Sequence, residues 1–218
     1  MKISQLNEQH VLVELNLTAS ITTTKKLLAI QQYFIDNKTI NLIDATLGFN
    51  HLLLALNGEI DLAQIKAHCQ AAINHPTTVT QSTQHCFPVC YELGDDIDFL
   101  QQQTGLSLAE LIHLHARQWF RVYSVGFLPG FAYLGDLPKR IQCERKSTPR
   151  ISVPVGAVAI AEQFTAIYPQ ASPGGWHIIG RCPTPPNGFN NPLKPFDQVM
   201  FVPISSAEYQ DKLAHTSI

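Results

Sequence analysis

Apolar residues alternate with polar ones at Val11, Val13 and Leu15, which predicts a strand with one buried face. Leu27, Ile30 and Phe34 then recur at helical spacing inside a segment from about Ser20 to Asn37. Ile40 to Ile43 and His51 to Leu56 predict two strands joined by a turn containing Gly48. Leu62, Ile65, Cys69 and Ala72 form the apolar stripe of a second helix. The resulting order is β-α-β-β-α, and Phe87 to Tyr91 can supply one more strand. That pattern predicts a ferredoxin-like α/β sandwich with its helices on one face.

Beyond residue 85 the pattern changes. Asp95 to Gln103 and a segment opened by Ser107, with Glu110 at capping-box spacing and running to about Arg117, predict two short linker helices. Short strands then follow between Pro and Gly punctuation: Arg121–Phe127, Val153–Ala161, Thr165–Tyr168, His177–Arg181 and Gln198–Ile204. Ser205 to His215 predicts a terminal helix. Proline placement draws the same division: none of the 14 prolines precedes Pro76, and 12 lie between Pro129 and Pro203. Proline is excluded from helix interiors and central strands. The expected fold class is therefore α+β, with a ferredoxin-like domain at residues 1–85 and linker helices plus a closed or nearly closed β-barrel at 86–218.

Composition narrows the partners. The net charge is −2, from +5 and −6 up to residue 85 and +10 and −11 beyond it, so neither part is a basic module and no nucleic-acid partner is expected. Five cysteines without a C-x-x-C pair fit free thiols in a reducing cytoplasm better than a disulfide framework or a zinc ribbon. No leader-like segment opens the chain, and no apolar run approaches the ~20 residues of a membrane helix, so no membrane partner is expected.

Two stretches are written as sites. Residues 168–183 read Tyr-Pro-Gln-Ala-Ser-Pro-Gly-Gly-Trp-His-Ile-Ile-Gly-Arg-Cys-Pro, and Gly126 to Pro138 read Gly-Phe-Leu-Pro-Gly-Phe-Ala-Tyr-Leu-Gly-Asp-Leu-Pro. Stiff loops that carry aromatics and a cation are more often sites than spacers. All six arginines lie beyond residue 116, and the guanidinium fork suits carboxylates and phosphates. Arg150 and Arg181 are the first substrate-binding candidates. Tyr133 and Trp176, with Phe127 and Phe131, suit the wall of a pocket for a flat ring, a subunit interface or the barrel core. Gly130, Gly174 and Gly175, with Gly126, suit either exposed N–H donors or turn geometry alone, and Ser172 offers a hydroxyl. His177 and His115 are the acid/base candidates, each also readable as a structural histidine. His113 lies two residues from His115, on another helix face, so the pair cannot chelate one metal. No metal site is expected.

Several multi-residue words occur in order: Arg121-Val-Tyr123, Gly126-Phe-x-Pro-Gly-Phe-x-Tyr-Leu-Gly135, Leu137-Pro138, Thr148-Pro-Arg150, Val153-Pro154 and Ala159-Ile-Ala161. Ile167-Tyr-Pro169, Ser172-Pro-Gly-Gly-Trp176, Ile179-Gly-Arg181 and Val202-Pro-Ile204 complete the series. Through these words the chain resembles the family of 5-oxoprolinase B subunits, also described as the sporulation-kinase inhibitor or allophanate hydrolase subunit 1 family. The resemblance implies that the barrel is cyclophilin-like. It implies two partners, the C and A subunits of 5-oxoprolinase. It also implies an assembled complex that binds ATP and opens 5-oxoproline to glutamate, the chain alone holding no cofactor. Two alternatives follow from the same family: inhibition of a sensor histidine kinase through the barrel, and a biotin-dependent carboxyltransferase acting on urea or a similar amide. The chain departs from the family where Glu162-Gln-Phe-Thr-Ala166 stands for Gly-Gly-Gln-Thr-Gly and Lys194-Pro-Phe-Asp197 for Lys-Pro-Gly-Asp, with a shortened loop before the latter. Neither a phosphate-binding G-x-x-x-x-G-K-[ST] loop nor a Met-Lys biotin word is present. The chain is thus expected to be one part of an enzyme.

Overall fold

A computed structural model describes residues 1–18, 20–37, 41–74, 82–186 and 192–216. The chain divides into two units, Met1–Gln81 and Ser82–Ile218. The shortened loop before Lys194 and the first residue of the expected Ile40–Ile43 strand fall outside the described residues.

The first unit runs β1 (Lys2–Gln5), β2 (His10–Glu14), α1 (Ile21–Asp36), β3 (Leu42–Leu47), β4 (His51–Leu56) and α2 (Leu62–Asn74). Its antiparallel sheet has the order β1-β2-β4-β3. Val11 and Val13 pair with Leu54 and Leu52, so one face of the pleat is wholly apolar. That face joins Leu27, Ile30 and Phe34 of α1 and Ile65 and Cys69 of α2 in one core. Ser20 caps α1 by accepting from the Thr23 N–H at 3.2 Å. Phe87–Tyr91, which can supply one more strand, does not join this sheet beside β2. The N-terminal Lys2–Gln5 pairs there, Ile3 opposite Val13, and fills the edge position that a ferredoxin-like sandwich gives its last strand. A hairpin partner a few residues away reaches that edge with little loop-closure entropy.

The segment so released opens the second unit as β5 (Gln84–Val89). After a 3₁₀ turn at Tyr91–Leu93 come α3 (Ile97–Thr104), α4 (Leu108–Ala116), β6 (Phe120–Val125) and β7 (Ala132–Gly135). A second 3₁₀ turn at Lys139–Ile141 precedes β8 (Arg150–Val153), β9 (Ala157–Ala161), β10 (Phe164–Ile167), β11 (Ser172–Gly174), β12 (His177–Arg181), β13 (Gln198–Pro203) and α5 (Ser206–Thr216). Seven strands order as β12-β9-β10-β7-β6-β13-β5. The two ends of this sheet meet: the Cys90 N–H donates to the Arg181 carbonyl at 2.9 Å and the Arg181 N–H to that of Cys90 at 3.0 Å. The sheet is thereby closed to a barrel. Gly180 makes the seam possible, since a Cβ there would lie 2.7 Å from Val89 Cγ1 and 3.0 Å from the Cys90 carbonyl oxygen. Pro88 sits in the terminal strand β5, where a missing donor is tolerated.

The expected single strand Val153–Ala161 is two. Pro154 and Gly156, whose φ is +75°, bend the chain so that β9 stays in the barrel while β8 leaves to pair with β11. That separate two-stranded ribbon carries much of the candidate site. The expected capping box is present: Ser107 accepts from the Glu110 N–H and the Glu110 carboxylate accepts from the Ser107 N–H.

Candidate functional site

Asp96 organises the site. It precedes α3 in the N-cap position but caps no helical N–H with its side chain. Its Oδ1 instead accepts from Arg150 Nη2 at 2.9 Å and Lys146 Nζ at 2.8 Å. Its Oδ2 accepts from the Ile178 N–H at 2.7 Å. The residue is only 5% exposed. Burial pushes its carboxyl upward, but the bonds from Arg150, Lys146 and the Ile178 N–H outweigh that and hold it at about 2. The same carboxylate raises the Arg150 guanidinium. One buried anion therefore ties α3 to the 146–150 segment and to β12.

The ribbon brings the sequence candidates to this knot. Arg150 on β8 is opposite Gly174 on β11, and Ser172 is opposite Val153. A Cβ on Gly174 would lie 2.4 Å from the Tyr168 hydroxyl, so a glycine is required for the ribbon to close over that tyrosine. The Gly175 carbonyl accepts from the Lys146 N–H at 2.7 Å. Trp176 is buried and meets Tyr133 and Phe131 edge-on, each at 5.8 Å between ring centroids. Phe131 is turned inward by Leu128-Pro129-Gly130-Phe131, in which the Phe131 N–H donates to the Leu128 carbonyl at 3.0 Å. Gly130 has φ +82° there, the left-handed residue of a proline-opened type II turn. Gly130, Tyr133, Arg150, Ser172, Gly174, Gly175 and Trp176 thus form one contiguous region. Arg150 Nη1 and the Ser172 hydroxyl are buried there with no partner among the described residues, which marks donors available to a ligand.

His177 borders the region. Its ring stacks on Phe99 at 4.5 Å and nearly parallel, and Nε2 donates to the Glu144 carbonyl at 3.0 Å. Burial lowers its basicity, against the opposing pull of Asp96. Phe99 and His177 sit on the wall of an open cleft of about 840 Å³, whose rim carries Arg140, Arg145 and Lys146.

Two candidates lie elsewhere. Arg181 sits at the barrel seam, and its Nη2 contacts both carboxylate oxygens of Asp95 at 2.9 and 3.0 Å. His115 is 1% exposed inside the barrel, stacked on Phe201. The Thr165 hydroxyl spends its proton on the Ala159 carbonyl, so it accepts from His115 Nε2–H at 2.9 Å. Nδ1 then accepts from the Tyr91 hydroxyl at 2.7 Å. This neutral tautomer is fully satisfied, and burial lowers the imidazole to about 3. The geometry gives His115 a structural place, away from solvent and from the ribbon. Among the described residues no three potential metal ligands cluster, and no described helix is long and apolar enough to cross a membrane.

Sequence reasoning missed Asp96, Lys146 and Phe99. A readable signal existed for one of them: an Asp-Asp pair just before a helix, in a part of the chain rich in arginine. Tyr168, which the sequence shows only as the opening residue of the 168–183 stretch, proves to be the residue over which Gly174 closes.

Residues 1–192 match the family described as carboxyltransferase domain, subdomain C and D. The chain is 30% identical to the B subunit of 5-oxoprolinase from Escherichia coli O157:H7 over 206 residues, which cover 91% of this chain and 94% of that protein. The chain belongs to this family. It is also 42% identical over 128 residues to the B subunit of 5-oxoprolinase from Bacillus subtilis, a match spanning 56% of the chain and about half (53%) of that relative. Among solved structures, the TTHA0988 protein superposes with a TM-score of 0.75 at 26% identity, over 91% of this chain and 40% of that one. The Kluyveromyces lactis urea amidolyase shares the fold, with a TM-score of 0.78 at 18% identity over 96% of this chain and 15% of that one.

Two departures from the family's wording coincide with unusual backbone. Glu162 has φ +54° and Phe196 has φ +76°, left-handed conformations that glycine adopts without strain. Glu162 gains an ion pair, Arg145 Nε to Oε1 at 2.9 Å. Phe196 gains burial, being 5% exposed.

Proposed function

We propose that this chain is the B subunit of an ATP-dependent 5-oxoprolinase, acting with the C and A subunits to open 5-oxo-L-proline to L-glutamate. The observation that carries the reading is the alignment with the E. coli relative over 91% of this chain and 94% of that protein. The site supports it. Among the described residues, Arg150 has one buried N–H edge without a partner and the Ser172 hydroxyl is likewise unpaired, as expected of groups that await a carboxylate or lactam oxygen. An unstrained lactam resists water because its amide is resonance-stabilised. ATP supplies the free energy for its opening, and donors on this chain orient the anionic substrate and stabilise charge on the lactam oxygen. The basic cleft residues Arg140, Arg145 and Lys146 suit the phosphates of ATP.

The test is reconstitution: the chain alone, with each partner, and with both, assayed for ATP-dependent glutamate release. Activity is expected only from the complete assembly. Full activity of the lone chain, or none from a folded complete assembly, overturns the reading. A second reading rests on 28% identity over 137 residues to the urea amidolyase of Saccharomyces cerevisiae, covering 53% of this chain and 7% of that protein. It is a biotin-dependent carboxyltransferase role, and biotin-dependent carboxylation of urea by the reconstituted assembly would favour it.

A further inference from the structure

The open cleft beside α3 has a composition that the substrate-binding ribbon lacks. Its lining carries three cations, Arg140, Arg145 and Lys146, alongside one acidic residue, Glu144. Lys146 is held by Asp96, and Arg145 by an exposed pair with Glu162. Arg140 makes no ion pair within 4 Å among the described residues. The wall adds an aromatic element: Phe99 is 40% exposed although it stacks on His177, which is 3% exposed. His177 also keeps Nδ1 buried without a partner among the described residues. The volume of about 840 Å³ lies within the ~300–1,000 Å³ typical of small-molecule sites.

Cations in the lining and an exposed ring on the wall answer two parts of one ligand. We infer that this cleft binds a nucleoside polyphosphate, its phosphates on Arg140 and Arg145 and its base against Phe99. This assignment rests on the 5-oxoprolinase reading and locates that assembly's nucleotide on this chain. A phosphorylated substrate shares the phosphoryl chemistry but has no base to place on Phe99. Glu162 is then a specificity-setting residue, because it competes with the nucleotide for Arg145. The glycine its family carries there leaves that arginine free.

The test is calorimetric titration of the purified full chain with ATP, tripolyphosphate and adenosine at two salt concentrations. ATP binding that weakens with salt is expected. Arg140→Ala with Arg145→Ala should lower ATP and tripolyphosphate affinity at least tenfold, with an unchanged thermal midpoint because both side chains are exposed. Phe99→Ala should weaken ATP but not tripolyphosphate. Glu162→Gln should tighten ATP several-fold. Equal loss of ATP and tripolyphosphate in Phe99→Ala would overturn the nucleotide in favour of a bare phosphoryl ligand. No ATP binding up to millimolar concentration, or binding that the double variant leaves unchanged, overturns the cleft assignment altogether. Turnover by the complete assembly is scored separately, so an active assembly whose ATP dependence ignores Arg140 and Arg145 sinks this assignment and spares the 5-oxoprolinase reading.

Discussion

Asp96→Asn removes one charge and barely changes shape, so its cost follows from the contacts. The carboxylate lies 2.9 Å from Arg150 Nη2, 2.8 Å from Lys146 Nζ and 2.7 Å from the Ile178 N–H. Every neighbour is a donor. An asparagine has one oxygen, so its NH₂ must face either the two cations or the backbone N–H. The carboxyl falls from 3.8 to about 2 on folding, which at ~1.36 kcal/mol per pH unit is roughly 2.5 kcal/mol. An opposed buried donor adds about 1–3 kcal/mol. The expected loss at pH 7 is therefore about 3.5–5.5 kcal/mol. Both tryptophans, Trp119 and Trp176, belong to the second unit, so fluorescence-monitored urea unfolding reads that unit selectively. The sign with pH is fixed. A depressed carboxyl contributes stability above its unfolded value, and that contribution is lost as pH falls from 3.8 through about 2. The gap between wild type and variant should narrow over that window. A loss below about 1 kcal/mol at pH 7, or a gap that stays constant down to the end of the window, would refute the charge argument.

Tyr91→Phe strands Nδ1 of His115 and should cost about 1–3 kcal/mol in the same urea assay. The His115 imidazole is held neutral, at about 3 instead of 6.5, so the stability it confers is present above pH 6.5 and declines as pH falls toward 3. Its NMR ring resonance should not titrate between pH 8 and 5, and a midpoint near 6.5 would contradict the buried tautomer. Gly180→Ala must displace Val89 or the Cys90 carbonyl and should cost at least ~1–3 kcal/mol, measured as a lowered urea midpoint. Gly130→Val should lower stability by more than about 1 kcal/mol, because a β-branched residue resists φ +82°. It should also shift the near-ultraviolet dichroism of Trp176.

Most elements were legible because periodicity survives in the sequence. Val11, Val13 and Leu15 show period two, Leu27, Ile30 and Phe34 show helical spacing, and Ser107 with Glu110 shows a cap. The pairing of β5 was not legible. Gln84–Val89 is locally as good a strand for either unit; in the fold Lys2–Gln5 takes the β2 edge and Gln84–Val89 pairs with β13, with Phe87 and Val89 in the second unit's core. The site was half legible. Arg150, Ser172 and Trp176 stood out by residue type and neighbouring glycines, whereas Asp96 comes from a different element more than fifty residues away. Its importance depends on which donors meet it in space. Trp176 illustrates the remaining ambiguity: the same residue suits a pocket wall or a core, and at 5% exposure it packs against Tyr133 and Phe131 as part of the buried aromatic cluster.

The parallel pairing of β5 with β13 joins positions 114 residues apart. On a ribosome, the first unit's sheet is free to form as soon as it emerges, because β1 to β4 pair only with one another. The barrel has no such liberty: its opening strand must wait, unpaired, until Gln198–Pro203 has been synthesised. During that interval an exposed apolar edge is the part of the nascent chain most in need of a chaperone.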